Sequence, residues 1–196
     1  VDNGAKVINM SFGKYYVMHK EYVDEAVKYA MEHDVLLVHA AENDAKDKDK
    51  EDSYPTRIAK SGMVYPNWID VGASSASRKP KAILANFSNY GATTVDFFAP
   101  GVDIYSTVPD GKYEDASGTS MACPATAGVV ALIRSYFPNL TAVQVKEVLM
   151  KTTTPYKKKV LVPGTKDKKK MSEICITGGF VNAANAVNYI LKTMNP

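Results

Sequence analysis

The segment that most constrains this chain is Gly118-Thr119-Ser120-Met121-Ala122-Cys123-Pro124, continuing as Ala125-Thr126-Ala127-Gly128-Val129-Val130-Ala131. Its residues are small and apolar on every side, so a helix built from them must run through an interior. Gly118 permits a tight entry into that helix. Pro124 is tolerated near its start, because the first turn has no N–H bonds to lose. Ser120 then stands at the mouth of a buried helix, where backbone N–H groups lack partners of their own. A chain of 196 residues is long enough to bury such a helix within one domain.

The elements that would surround it are legible as an alternation. Lys6–Met10 reads as a buried strand, and Glu21–His33 as an amphipathic helix with Val23, Ala26, Val27 and Ala30 on one face. The early acids Glu21, Asp24 and Glu25 and the late His33 suit the helix dipole. Val35–His39, Ile69–Ala73 and Val95–Phe98 are further strands. Residues 120–136, Thr141–Thr152 and Val181–Lys192 are further helices. Continuous apolar strands alternating with helices predict an α/β fold whose mostly parallel sheet is covered on both faces.

Three places carry residue types suited to acyl transfer. Ser120 at the helix mouth is placed to attack, with the helix dipole and nearby N–H groups available to an oxyanion; the plainer alternative is an ordinary cap residue. Asn43 ends the strand Val38-His39-Ala40-Ala41-Glu42-Asn43. Its carboxamide can donate to a developing oxyanion or simply make a turn. The strand Lys6-Val7-Ile8-Asn9-Met10 ends in Ser11-Phe12-Gly13, an edge that can pair with an extended peptide or close as a common glycine turn.

In this order the three places resemble the subtilisin-like serine proteases, the subtilases. Tyr90-Gly91, Val95-Asp96-Phe97-Phe98-Ala99-Pro100-Gly101-Val102-Asp103-Ile104 and Gly178-Gly179-Phe180-Val181-Asn182-Ala183 resemble the same family, so the likeness spans nearly the whole chain. It implies the three-layer subtilisin-like fold. It implies that Ser120 is the nucleophile, and that Asn43 with the Ser120 backbone N–H forms the oxyanion hole. Ser11, Phe12 and Gly13 would pair with substrate, and Ala40, Ala41 and Glu42 would form the other wall of the specificity pocket. No cofactor is implied as a requirement. Calcium binding is not readable, since the acids of Asp44–Asp52 lack glycine-punctuated ligand spacing.

The family's triad runs Asp, His, Ser along the chain. Its histidine lies in a His-Gly-Thr segment, and this sequence has no His-Gly pair. Asp2-Asn3-Gly4 imitates the aspartate segment but directly precedes the strand that ends at Ser11, so a structural role is expected for Asp2. Of the three histidines, His19 and His33 bracket an outer helix, and His39 suits a core role. Residues 1–196 are therefore expected to be the C-terminal portion of a subtilase catalytic domain, lacking the part that bears the Asp and the His. Such a piece would be inactive or nearly so alone, would partner the missing part of the same protein, and would self-associate through an exposed sheet edge. A secreted or periplasmic location is implied by the family alone.

Several features depart from the family or stand outside it. Glu42 replaces the usual glycine beside the pocket, where it would select a basic side chain, swing away, or block the site. Cys123 reads as a small core residue, and nothing supports a bridge to Cys175; two cysteines exclude a disulfide scaffold or a four-thiolate zinc site. The Asp44–Asp52 segment, alternating Asp and Lys, is expected to be a solvated loop. Lysines 157, 158, 159, 166, 168, 169 and 170 crowd one stretch against Asp167. It reads as a solvated insertion or a basic hairpin for an anionic surface. It lacks the interleaved aromatics of a nucleic-acid module, and a net charge of +3 argues for no such partner. No apolar run is long enough to span a membrane. Gly118-Thr119-Ser120-Met121-Ala122 fails the nucleophile-elbow pattern, because Ala stands where that pattern has its second glycine. The alternative to a protease is a subtilase-like module that binds or scaffolds peptides without catalysis.

Overall fold

The computed structural model describes residues 1–77 and 79–193. Its elements, in chain order, begin with β1 (Val7–Met10), α1 (Lys20–Glu32), β2 (Leu36–Ala40), β3 (Trp68–Ser74) and β4 (Phe97–Pro100). A hairpin of β5 (Ile104–Val108) and β6 (Lys112–Ala116) follows, then α2 (Thr119–Tyr136) and α3 (Ala142–Thr152). The chain closes with short strands β7 (Thr154–Pro155), β8 (Val160–Leu161), β9 (Lys168–Lys169) and β10 (Gly179–Phe180), and helix α4 (Ala183–Thr193).

One six-stranded sheet organises these pieces in the order β1-β2-β3-β4-β10-β7. All neighbours are parallel except β7, which runs antiparallel to β10. Side chains alternate between its two faces with the period of two that a strand imposes. Leu36, Val38, Ala40, Ile69, Val71, Ala73, Phe97 and Ala99 point to the face covered by α2, α3 and α4. Leu37 and Trp68 point the other way, into a cluster with Val27 and Ala30 of α1. Helices on both faces complete the three-layer α/β arrangement that the apolar strands predict.

Helix α2 packs on β1, β2, β3 and β4, which explains a composition with no polar stripe. Ala122, Cys123, Val130 and Ile133 are fully buried along it. Helix α3 begins with a capping box: Thr141 accepts from the Gln144 N–H while the Gln144 side chain accepts from the Thr141 N–H.

The Asp44–Asp52 segment differs from its reading as a solvated loop, and the lysine-rich stretch takes the hairpin form of its two readings. In the Asp44–Asp52 segment, the Lys48 side chain turns inward to Asp70 at 3.3 Å and is only 8% exposed. Asp49 accepts hydrogen bonds from the backbone and hydroxyl of Thr93 and from the hydroxyl of Thr94. The distant partners, not the local polarity, decide the path. In the lysine-rich stretch, β8 and β9 form a hairpin. Most of its lysines are exposed, yet Val160, Val162, Met171, Ile174 and Cys175 are buried together with Phe98 and Tyr90. It is an anchored hairpin with a charged rim.

Candidate active site

In a parallel sheet, loops gather at the carboxyl ends of the strands. Met10 pairs with His39 in the β1–β2 register, so the segments leaving these strands, Ser11-Phe12-Gly13 and Ala41-Glu42-Asn43, emerge side by side. The N-terminus of α2 meets them there. Ser11, Phe12, Gly13, Ala40, Glu42, Asn43, Thr119 and Ser120 line one cavity of about 290 Å³. Ala41, between Ala40 and Glu42, packs its methyl into the core beside Leu84 and Tyr90, fully buried. A residue on a strand's continuation alternates faces, and Ala41 falls on the opposite face from Ala40.

Ser120 is the second residue of α2 and half-buried. Its hydroxyl donates to the Ser11 carbonyl at 3.3 Å, while the Ser11 hydroxyl donates to the Ser120 carbonyl at 2.9 Å. This reciprocal pair clamps the helix mouth to the end of β1.

Asn43 is oriented by Thr119, a residue that sequence reading passed over. The Thr119 N–H donates to Asn43 Oδ1 at 2.8 Å and the Thr119 hydroxyl donates to the same oxygen at 3.0 Å. With Oδ1 so occupied, the Asn43 amide nitrogen is the end left to donate. The point that a Cβ on Gly118 would occupy is 3.6 Å from each of Asn43 Nδ2, Ser120 N and Met121 Sδ. Glycine at 118 thus leaves open a point that both donors and the Met121 sulfur border. Only the Thr-Ser adjacency signals this in the sequence, and it cannot reveal which side chain Thr119 meets.

His39 lies beneath the cleft, fully buried. Its Nδ1 lies 2.7 Å from Asp70 Oδ1 and its Nε2 lies 3.0 Å from the Phe12 carbonyl oxygen. Both ring nitrogens thus face these two partners, and neither is hydrogen-bonded to Ser120. His39 instead fixes the Phe12 carbonyl from below. His19 and His33 flank α1 on the surface, the latter against the Tyr29 carbonyl. Asp2 accepts from the Tyr29 hydroxyl at 2.6 Å, in a surface contact.

Asp70 anchors a buried polar layer that the sequence does not announce. Besides His39 it accepts from Lys48 at 3.3 Å, Trp68 Nε1 at 3.0 Å and Arg57 Nη2 at 3.1 Å. Burial alone would raise the Asp70 carboxyl; Lys48, His39 and Arg57 overcome that and hold it well below the usual carboxylate range. Arg57 also reaches both carboxylate oxygens of Asp96.

The cysteines take no part. Cys123 donates from its thiol to the Val38 carbonyl at 3.0 Å, and both Cys123 and Cys175 are buried, unbridged, and in separate core clusters. Burial pushes each thiol up to about 11. Among the described residues no group of three or more acidic, histidine or cysteine side chains is arranged to hold a metal ion. Among them, too, no helix is long and apolar enough to cross a membrane.

Comparison with known proteins points one way. The family model described as the subtilase family matches residues 1–174. A thermophilic serine proteinase of Bacillus sp. (strain AK1) is 36% identical over 188 residues, covering 96% of this chain and 39% of the relative. Subtilisin DY of Bacillus licheniformis is 37% identical over 153 residues, covering 78% of this chain and 51% of the relative. Among solved structures, one of subtilase cytotoxin SubAB assembly aligns with a TM-score of 0.76 at 25% identity, over 97% of this chain and 61% of that one. A cold-adapted subtilisin-like serine proteinase aligns with a TM-score of 0.65 at 34% identity, over 83% of this chain and 53% of that one. The chain spans about half the length, or less, of these two relatives.

Proposed function

This chain belongs to the subtilase family, and from that premise we propose that it is the serine-bearing part of a longer peptide-bond hydrolase. The observation that carries the reading is the meeting of Ser120, Asn43 and Ser11–Gly13 in one cavity. In this account an extended peptide lies along Ser11-Phe12-Gly13, with Ala40 and Glu42 on its other side. The Ser120 oxygen bonds to the scissile carbonyl carbon as its proton passes to a base. The carbonyl electrons move onto oxygen, which Asn43 Nδ2 and the Ser120 N–H stabilise. The C–N bond then breaks, the amine leaves with that proton, and water releases the acyl group.

The base is the step that we assign to no residue here, because both nitrogens of His39 face Asp70 and Phe12 rather than Ser120. In our reading a His and an Asp come from another part of the longer protein. The free edge of β1 is where further strands would add. Phe12, Met18, Tyr22 and Val23 stand exposed around it and Val7 and Ile8 are half-buried. The chain alone is then inactive or nearly so, and prone to self-association through that edge. A secreted or periplasmic setting follows from the family. That placement of His39 also favours one other reading, a peptide-binding module without catalysis.

The test is hydrolysis of a mixed peptide library by the chain and by a version extended at its N-terminus. Extension should create activity that Ser120→Ala abolishes. Asn43→Ala should lower kcat by about 10²–10³-fold, the usual consequence of losing one oxyanion donor. An extended protein with His and Asp in reach of Ser120 and no hydrolysis would leave the non-catalytic module.

A further inference from the structure

Glu42 is the least economical residue in the cleft. Its backbone sits at φ 77°, a left-handed conformation that favours glycine and strains a long side chain. The side chain is nevertheless folded inward, leaving the residue 8% exposed. Its Oε1 is buried with no hydrogen-bond partner; Oε2 has a long 3.5 Å contact from Asn89 Nδ2, and the Ser53 and Tyr15 hydroxyls stand near enough to favour the ionised carboxylate. Among the described residues no lysine or arginine forms an ion pair with it: nearby Lys48 is committed to Asp70, and Lys46 to Glu51. A buried polar atom left unsatisfied in a native site calls for a partner.

The location says which partner. The Glu42 carboxylate lies against the α-carbon of Gly13, so close that a β-carbon on Gly13 would collide with Oε1. It therefore sits between the two walls of the cleft, in the cavity that also holds Ser120 and Asn43. Its main chain is held there by bonds at both ends. The Glu42 N–H donates to the Thr119 hydroxyl at 3.1 Å, and the Asn89 N–H donates to the Glu42 carbonyl at 2.9 Å. Burial raises the carboxyl, while Lys48 and His39 work to keep it ionised. A carboxylate fixed in a cleft, desolvated and without an ion pair, is matched by a cation that brings its own N–H donors.

We propose that Glu42 makes the cleft beside Ser120 a subsite for a cationic side chain, that of a lysine or arginine in a bound peptide. The proposal rests on reading the cleft as a peptide site. It turns the strain and the missing partner into specificity: a neutral side chain would leave Oε1 unpaired, whereas an ammonium or guanidinium satisfies it.

The experiment titrates the chain with benzamidine, a guanidinium mimic, and with its neutral isostere benzamide, following the backbone amides of Gly13, Glu42 and Ser120 by NMR. Benzamidine should shift these amides and bind at least about tenfold more tightly than benzamide, as expected for a charge-assisted pair. Glu42→Gln keeps the shape and should remove that preference. Glu42→Gly relieves the backbone and serves as a second variant if the first folds poorly; it too should lose the preference. Equal affinity for the two probes, unchanged benzamidine binding in Glu42→Gln, or no shift in the cleft with either probe overturns the proposal. The two readings fail separately. Hydrolysis by the extended protein without preference for lysine or arginine sinks the cationic subsite and leaves the protease standing. Glu42-dependent benzamidine binding in an extended protein that neither hydrolyses peptides nor labels at Ser120 sinks the protease and leaves the subsite.

Discussion

Asp70→Asn should unfold this protein more readily than any other single-atom change near the cleft. The aspartate is 3% exposed and contacts four side chains: His39 and Lys48 at Oδ1, and Trp68 and Arg57, the latter through both Nε and Nη2, at Oδ2. Asparagine preserves the shape but replaces one acceptor with an NH₂ group, so one pair of donors faces another donor. Lys48 loses its buried counter-ion, while Arg57 keeps Asp96. Breaking a buried ion pair costs about 3–5 kcal/mol. With Arg57 still paired, we expect the lower end, about 3 kcal/mol, which in a domain of this size lowers the thermal midpoint by roughly 6–12 °C. Urea unfolding at pH 7 measures this through the single tryptophan, Trp68, itself a donor to Asp70. Circular dichroism supplies a probe independent of that contact. The pH dependence has a fixed sign. The folded carboxyl lies below its unfolded value, so its stabilisation is complete above about pH 4 and is lost as pH falls further. Wild type and variant should therefore converge in acid. A difference under about 1 kcal/mol at neutral pH, or one that grows in acid, would refute the reasoning.

Two other expectations concern neighbouring residues. Gly118→Ala places a methyl 3.6 Å from both Asn43 Nδ2 and Ser120 N, ordinary contact at an extended backbone position. The thermal midpoint should stay within a few degrees, while hydrolysis by the extended protein falls at least about tenfold as the methyl crowds the oxyanion donors. Cys123 and Cys175, buried and with thiols raised to about 11, should resist an aromatic disulfide reagent in the native protein and both react in urea.

The main strands and helices were legible because each is a run with one period. Leu36–Ala40 is apolar except for His39, and α2 has no charge before Arg134. The β5–β6 hairpin was missed. Its strands are largely exposed on both faces, so they leave little apolar pattern. The available signal was Asp110-Gly111 between residues of strand character, both with positive φ as a tight hairpin turn requires. The polar layer was hidden for a different reason. His39 and Asp70 each interrupt an apolar strand, and they meet because the β2–β3 register sets them opposite one another. Register is a long-range property that no local window contains. Lys48 looked like one of several solvated lysines for the same reason: its partner lies on another strand. At the site, Ser120 and Asn43 were readable from local sequence and family resemblance. The role of Thr119 in aiming Asn43, and the inward turn of Glu42, needed the fold.

The central proposal is that Ser120 is a nucleophile that lacks a base within this chain. A serine-reactive fluorophosphonate, with the adduct mapped by peptide mass spectrometry, measures this. The account predicts no adduct on the chain alone, and an adduct on Ser120 once the N-terminal extension is present, absent in Ser120→Ala. Labelling of Ser120 in the isolated chain, or of any other residue in the extended protein, would contradict it.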